Sequence, residues 1–342
     1  MMFKFKSMIY LLLGCVALPI QAYAQEITDV SGNQVVLPDQ PIERVADAWF
    51  AHTAELMVLG EGNKIVATLN HPESRPWMFK VQPSLNHALL GQGKLFNIES
   101  LLNRKVQLAF VPKGDPQIAT MQAEGIPTVE VFFHTLEGMK KTMLITAKAM
   151  GTSSALQRAK DYNQYLDTQI ARIQTKLATL GHFQPPKVLH ISSLNPLKVD
   201  GTNSLIDDWI HIAGGRNAAT VKGNMQPVTA EQILAWQPDV IILQGNAGKL
   251  ADSPNYAVLS QLTAVQKGQV YRNPFGVFLW DRYGPESALQ IQWAAKILHP
   301  TLFANEDINQ ITRQFYQRFF DYPLDKQQAD RILQALPPLT NQ

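Results

Sequence analysis

The sequence predicts an α/β protein made of two lobes joined by one long helix. Short apolar runs alternate with helical patterns along most of the chain, which is typical of parallel β-α units. The segment 153–180 differs from the rest, because its apolar residues recur at spacings of three and four without interruption. A helix of that length would extend about 40 Å at roughly 1.5 Å per residue, about the width of a domain. We therefore expect it to link the two lobes.

The first 24 residues have the layout of a secretory signal peptide. A short basic start precedes an apolar run, and small residues at Ala22 and Ala24 end it. The run is shorter than the roughly 18–20 apolar residues of a spanning helix, so export with cleavage after Ala24 is the prediction. A lipoprotein cleavage site at Cys15 is the alternative, although the apolar residues after Cys15 are unlike a polar lipid tether. We expect a periplasmic protein without a lipid anchor.

Composition excludes several classes of protein. The chain of 342 residues is 46% hydrophobic and 17% charged, unlike a disordered chain. Without residues 1–24 the chain has 28 basic and 28 acidic residues and no cysteine. It has no basic block of the kind that binds nucleic acid. Disulfides, thiol catalysis and cysteine metal sites are excluded for the mature chain.

The first lobe is predicted over 25–151. A turn at 31–33 separates two short strands, and the remaining elements alternate between strand and helix. In order they are strand 43–49, helix 51–60, strand 64–69, a polar and aromatic loop 70–80, helix 97–103, strand 106–112, helix 115–125, strand 126–133 and helix 135–150.

The linking helix is predicted over 152–181 and the second lobe over 182–342. A serine cap at 153 or 154 and Gly181 mark the ends of the linking helix. The second lobe has strand 187–192, helices 204–214 and 229–237, strand 239–244, strand 270–274, helix 285–298 and a tail with two more helical patterns.

Motifs for several enzyme classes are missing from the sequence. There is no phosphate-binding loop, no dinucleotide fingerprint, no G-x-S-x-G nucleophile motif and no H-E-x-x-H zinc motif. Ser192 and Ser193 lie near His190, but neighbours in sequence do not define a catalytic triad. We therefore expect a protein that is not an enzyme, with an exported α/β hydrolase as the alternative from another class.

Two glutamate-led helix–strand units echo each other, beginning at Glu99 and Glu231. With the export signal, the lobes and the long helix, they resemble the periplasmic solute-binding proteins of ABC importers, in the class with one linking helix. The resemblance covers about residues 26–303 and is carried by ITDVSGNQVVLPDQPIERVAD, AELMVLGEGNKIVAT, FNIESLLNRKVQLAFVPKG, VTAEQILAWQPDVIILQG and WDRYGPESALQIQWAAKILHPTLF. It implies two Rossmann-like lobes with a ligand cleft between them.

The resemblance implies a ligand, a partner and a pair of docking residues. This class serves the uptake of iron–siderophore, haem, cobalamin and related metal chelates. One surface glutamate on each lobe docks into arginine pockets of the permease, and by position these are Glu99 and Glu231. The alternative is that each carboxylate only favours the start of its helix. We expect a monomer that delivers its ligand to an ABC permease.

The ligand site is predicted in the loops that follow the strands, since ligands of such folds bind at the carboxyl ends of the strands. These loops are rich in aromatic residues, which stack on flat chelators, and in arginines, which compensate negative charge. The candidate contact residues are Trp49, His52, Arg75, Trp77, Phe133, His134, Trp280, Arg282 and Tyr283.

A metal in the ligand would find possible histidine ligands in the same loops. His52, His71 and His134 are the candidates, although a lone histidine is more often a structural residue. An iron(III)–siderophore fits the loops best, so we expect no resident cofactor but a ligand that contains a transition metal such as iron. The alternatives are an oxyanion such as molybdate, cobalamin or a nickel chelate.

Overall fold

A computed structural model describes residues 25–339 of the chain. The predicted signal peptide, its cleavage position at Ala24 and the alternative lipid site at Cys15 lie outside the described residues. Within 25–339, no helix is both long enough and apolar enough to cross a membrane.

The first lobe contains an N-terminal hairpin and a parallel sheet with helices around it. Its strands are β1 (Glu26–Thr28), β2 (Gln34–Val36), β3 (Val45–Asp47), β4 (Ile65–Thr68), β5 (Leu89–Leu90), β6 (Leu108–Pro112) and β7 (Thr128–Val131). Its helices are α1 (His52–Val58), α2 (Pro76–Val81), α3 (Ile98–Asn103), α4 (Ile118–Ala123) and α5 (Leu136–Met150). β1 pairs with β2, and the sheet runs β5-β4-β3-β6-β7 with every pair parallel.

The predicted long helix is α6 (Ser153–Ala178), with 26 residues. The Thr152 side chain caps it by accepting a hydrogen bond from the Ala155 amide. Its buried residues follow the expected spacing, as Ala155, Ala159, Tyr162, Leu166, Ile173 and Leu177. The periodicity in the sequence therefore marked the face that packs against the two lobes.

The second lobe follows with a mixed sheet. Its strands are β8 (Lys187–Leu194), β9 (Leu197–Val199), β10 (Arg216–Asn217), β11 (Gln226–Pro227), β12 (Val240–Leu243) and β13 (Val270–Arg272). Its helices are α7 (Leu205–Ile212), α8 (Ala230–Trp236), α9 (Tyr256–Leu259), α10 (Thr263–Gln266), α11 (Ser287–Leu298), α12 (Ile308–Phe319) and α13 (Lys326–Leu333). The sheet runs β11-β9-β8-β12-β13, with β10 also on β8. The pairs β8–β9 and β9–β11 are antiparallel, and the pairs β8–β10, β8–β12 and β12–β13 are parallel.

The linking helix is fastened to both lobes. The Arg158 side chain on α6 donates to the Val58 carbonyl at the end of α1 and to the Phe319 carbonyl at the end of α12. Tyr162 donates its hydroxyl to the Pro285 carbonyl at 2.7 Å. One buried apolar cluster includes side chains from both lobes and from α6. The two lobes therefore meet through a packed core as well as through a helix.

The sequence prediction differs from the structure in two places. The segment 70–80 was expected to be a loop, but it contains most of α2, in which Trp77, Met78 and Phe79 are buried. Pro76 occupies the first turn of α2, where proline suits a helix start. The short elements β5, β9, β10, β11, α9 and α10 were not predicted, because two to four residues carry too little periodicity.

Candidate functional site

The site lies where the loops after the strands of one sheet approach those of the other. Trp49 follows β3 and Phe133 follows β7, and their rings lie 5.7 Å and 5.8 Å from the Tyr283 ring of the second lobe. Arg75 follows β4, and its guanidinium lies 4.7 Å from the centre of the Phe278 ring, also in the second lobe. These contacts cross from lobe to lobe and form the base of a cleft at the carboxyl ends of the parallel strands, as the fold predicts.

A cavity of about 390 Å³ opens between the lobes on the Arg75 side of this cleft. The first lobe contributes the loop that leads into α2, and the second lobe contributes the loops after β12 and β13. The chain beyond α13 forms a third wall. The lining residues are Glu73, Ser74, Arg75, Pro76, Trp77, Gly245, Asn246, Phe275, Ala335, Leu336 and Pro337.

Arg75 is a partly buried cation with no carboxylate within salt-bridge distance among the described residues. It makes no salt bridge with any of residues 25–339, and among these residues its side chain makes one hydrogen bond, a donation to the Ser74 carbonyl at 2.8 Å. Its Nε is buried and has no acceptor. Burial lowers the pKa of Arg75 to about 10, so the side chain is still charged at neutral pH. A charge in this position attracts an anion into the cavity.

Arg282 is in the opposite electrostatic situation. It donates to both oxygens of Asp200, at 2.9 Å and 2.8 Å, and its Nε donates to the Gln244 side chain at 2.8 Å. Arg282 and Asp200 are both buried. Each of the three guanidinium nitrogens therefore makes a hydrogen bond within the protein, and Arg282 is a structural residue rather than the free ligand contact that the sequence suggested.

The Arg282–Asp200 pair continues into a buried charge network. His190 lies on β8 between two carboxylates, with Nδ1 at 2.7 Å from Asp200 and Nε2 at 2.7 Å from Asp281. Burial lowers the pKa of His190, but the two carboxylates outweigh burial and raise the pKa above its usual value. Burial likewise opposes the ionisation of Asp200, but Arg282 and His190 hold the pKa of Asp200 well below its usual range. The network fixes the loop that carries Tyr283.

A second buried carboxylate organises the start of the same loop. Glu286 accepts hydrogen bonds from the backbone amides of Val277 and Phe278, from the Trp280 indole at 3.0 Å and from the Tyr316 hydroxyl. Burial raises the pKa of Glu286 to about 7, although these donors oppose the shift. The roles of Glu286 and of the His190 network are not evident in the sequence, because their hydrogen-bond partners lie far apart along the chain.

Three of the predicted aromatic contacts belong to the core. Trp77 is 1% exposed, Trp280 is fully buried and Phe133 is 2% exposed. The Trp77 indole donates to the Leu336 carbonyl, and the Trp280 indole donates to Glu286. Their ring faces are therefore covered by protein and are not available to a flat chelator. Trp49 and Tyr283 are only partly buried and remain at the cleft.

The three candidate metal ligands have separate surroundings. His52 is fully buried, and its two ring nitrogens contact Asp47 and the Thr146 hydroxyl. His71 contacts the Gly91 carbonyl through Nε2, and His134 is exposed. Among the described residues, no group of three or more His, Cys, Asp and Glu side chains is arranged to hold a metal ion. His52 is therefore a structural histidine, with no free nitrogen for a metal.

The two predicted docking glutamates are both exposed. Glu99 lies in the first turn of α3 and Glu231 in the first turn of α8. Asn97 and Thr229 cap these helices through their side chains, so the helix amides do not depend on the glutamates. Each helix precedes a parallel strand and runs in the opposite direction to it. The first turn of the helix therefore lies at the carboxyl ends of the strands, on the side where the cleft opens.

Known proteins share this architecture. A family model described as periplasmic binding protein matches residues 52–275. The molybdate-binding protein MolA of Haemophilus influenzae is 26% identical over 93% of this chain and 97% of its own. A periplasmic solute-binding protein of Veillonella parvula is 26% identical, with a TM-score of 0.77 over 91% of this chain and 97% of its own. The structure of MolA bound to molybdate has a TM-score of 0.78 at 21% identity, over 88% of this chain and 99% of its own.

The family match spans most of the chain, including β4 to β7 of the first sheet, α6 and the strands of the second sheet. The similar solved structures are two-lobed binding proteins, and the present chain has the same arrangement of sheets, linking helix and cleft. The chain belongs to the periplasmic binding protein family.

Proposed function

We propose that the protein binds a small oxyanion of the molybdate type in the cleft between its lobes and delivers it to an ABC permease. The observation that carries this proposal is Arg75, a partly buried guanidinium at the cavity wall with no carboxylate partner among the described residues and a buried Nε without an acceptor. An anion would neutralise this charge and accept hydrogen bonds from the free N–H groups, and arginine is well suited to bind planar or tetrahedral oxyanions.

The size and lining of the cavity support a small ligand over a large chelate. A volume of about 390 Å³ lies near the lower end of the roughly 300–1,000 Å³ range of ligand pockets. Trp77, Trp280 and Phe133, on which stacking of a siderophore depended, have their faces in the core. The similarity to MolA points to the same ligand class.

An iron(III)–siderophore or another metal chelate, such as a cobalamin or nickel complex, is the second candidate. The observation that favours it is the partly exposed pair of aromatic rings at the cleft, Trp49 and Tyr283, whose centres are 5.7 Å apart. Rings in that position could stack on a flat organic ligand. The metal of such a chelate would be bound by the chelator rather than by His52, His71 and His134.

Delivery requires contact with the membrane permease, which we assign to Glu99 and Glu231. Both carboxylates are exposed and neither makes a salt bridge with any described residue, so both are free to meet arginines. We propose that the protein acts as a monomer in the periplasm, after cleavage of the signal peptide behind Ala24.

The proposed role is binding rather than catalysis. His190 has a carboxylate at each ring nitrogen, and the Ser192 hydroxyl donates to the Lys198 carbonyl. These contacts leave His190 unable to accept a proton from Ser192, which weighs against the hydrolase alternative. The relatives found are likewise binding proteins.

Titration calorimetry with sodium molybdate, sodium sulfate and an iron(III)–catecholate chelate tests the proposal. We expect saturable binding of molybdate and weaker binding of the chelate. Saturable binding of the chelate without binding of molybdate would favour the second candidate. If none of the three ligands gave a binding heat, both the oxyanion and the metal-chelate candidates would lose their support.

A further inference from the structure

The last described part of the chain, 334–339, crosses from the second lobe to the cavity. We call it the C-terminal segment. It follows α13 through a tight turn in which Ala335 has a φ of 56° and the Leu336 amide donates to the Arg331 carbonyl at 2.8 Å. The Arg331 side chain donates in turn to the Pro337 carbonyl at 2.7 Å. The segment therefore has a defined path set by its own helix.

The C-terminal segment is bonded to both lobes. In the second lobe, the Phe275 amide after β13 donates to the Ile332 carbonyl at 3.0 Å, just before the segment begins. In the first lobe, the Trp77 indole on α2 donates to the Leu336 carbonyl at 2.9 Å. Trp77 is a core residue, so this bond ties the segment to the packed interior of the first lobe. The chain thus connects the lobes a second time, in addition to α6.

The same segment forms a wall of the cavity that holds Arg75. Ala335, Leu336 and Pro337 line it, and Leu336 is 40% exposed although it is a large apolar residue. The segment contains no charged residue, so it narrows the cavity without supplying a carboxylate to pair with Arg75. Arg75 immediately precedes α2, the helix that Trp77 holds against the segment.

We infer that the C-terminal segment sets the ligand selectivity of the cleft, by limiting the width of the cavity and by holding α2 and hence Arg75 in position. Trp77 acts here as a positioning residue. The inference about selectivity rests on the proposed function. The hydrogen bond from Trp77 to Leu336, which joins the lobes, does not depend on that function. A small oxyanion would keep contact with Arg75 beside this wall, whereas a bulky chelate would collide with it.

The test compares two truncations and two point variants. Removal of 335–342 deletes the wall, and removal of 340–342 alone is the matched control. Trp77→Phe keeps a ring in the core but loses the donor to Leu336. Trp209→Phe is its control, since that indole donates to the Asp281 carbonyl from a buried site on α7.

Hydrogen exchange of the ligand-free protein tests the hydrogen bond between Trp77 and Leu336 without any ligand. We expect amide exchange in α2 to accelerate by about two- to tenfold in Trp77→Phe, the equivalent of one neutral hydrogen bond, and by more after removal of 335–342. Trp209→Phe and removal of 340–342 should leave α2 unchanged. Unchanged exchange in α2 after removal of 335–342 would overturn the inference.

Calorimetry then measures the selectivity. Removal of 335–342 should weaken molybdate binding at least tenfold, and binding of the iron(III)–catecholate chelate should be retained or increased. An equal loss for both ligands, with a lower melting temperature, would show a purely structural role and overturn the inference. Failure of the wild-type protein to bind molybdate would instead contradict the proposed function, while the exchange result would stand independently.

Discussion

Arg75 and Arg282 look alike in sequence, and the structure predicts opposite results when each is changed to alanine. Arg75 has no carboxylate partner among the described residues, whereas Arg282 makes a bidentate pair with the buried Asp200. Arg75→Ala should therefore abolish ligand binding with little effect on the fold. Arg282→Ala should unfold part of the second lobe, because the buried Asp200 would lose its bidentate partner and keep only His190 beside it.

The sizes of these effects follow from the contacts. Loss of a buried charged partner costs about 2–5 kcal/mol in binding, or roughly 30-fold to several thousandfold in Kd. In the ligand-free protein Arg75→Ala loses the contacts with the Phe275 and Phe278 rings, of which the closer contributes about 0.5–2 kcal/mol, and the hydrogen bond to the Ser74 carbonyl. Relief from burying an unpaired cation offsets this loss. Arg282→Ala should cost about 3–5 kcal/mol of stability, or roughly 6–20 °C in melting temperature.

Calorimetry with molybdate and thermal unfolding monitored by circular dichroism test the predictions for Arg75→Ala and Arg282→Ala. Arg75→Lys is a useful intermediate, because it keeps the charge but loses the planar donors. Wild-type molybdate affinity in Arg75→Ala would refute the assigned anion site. A large drop in melting temperature in Arg75→Ala, or none in Arg282→Ala, would refute the electrostatic reasoning that separates the two arginines.

Three further predictions concern docking, motion and pH. Changing Glu99 and Glu231 to arginine should abolish uptake through the cognate permease while calorimetry shows wild-type ligand affinity; unimpaired uptake would show that these glutamates only begin their helices. Because α6 is a rigid link packed against both lobes, the radius of gyration from solution scattering should hardly change on ligand binding, and a large decrease would contradict a helical link. Because the pKa of His190 is raised in the folded protein, its contribution to stability should be complete below about pH 6.5 and lost as the pH rises through the raised pKa. The stability advantage of wild type over His190→Gln, measured by denaturant unfolding, should therefore shrink with rising pH, and an advantage that grows would contradict the charged state of His190.

Long periodic patterns made most of the fold predictable. The strand–helix alternation of the first lobe and the 26 residues of α6 carry repeated apolar positions that leave few alternatives. The short strands β9, β10 and β11 extend the second sheet by pairing with residues elsewhere in the chain, so their own sequence contains little signal. The helix α2 was missed because its polar flanks and Pro76 look like a loop.

The site was less predictable, because partners distant in sequence decide whether a side chain faces the ligand or the core. Trp77 is covered through a bond to Leu336, and Trp280 through a bond to Glu286. Asp200 lies 82 positions from Arg282 in the sequence, and its pairing with Arg282 makes that arginine a structural residue. Composition showed that the loops are rich in aromatic and basic residues, but only the folded arrangement shows that Arg75 is left without a partner.

A crystal structure of the protein with molybdate, phased with anomalous scattering from molybdenum, tests the central claim most directly. We expect one strong anomalous peak in the cavity between the lobes, within hydrogen-bond reach of the Arg75 guanidinium and beside the C-terminal segment. A peak away from Arg75, or a cleft that retains a metal chelate and shows no molybdenum, would contradict it.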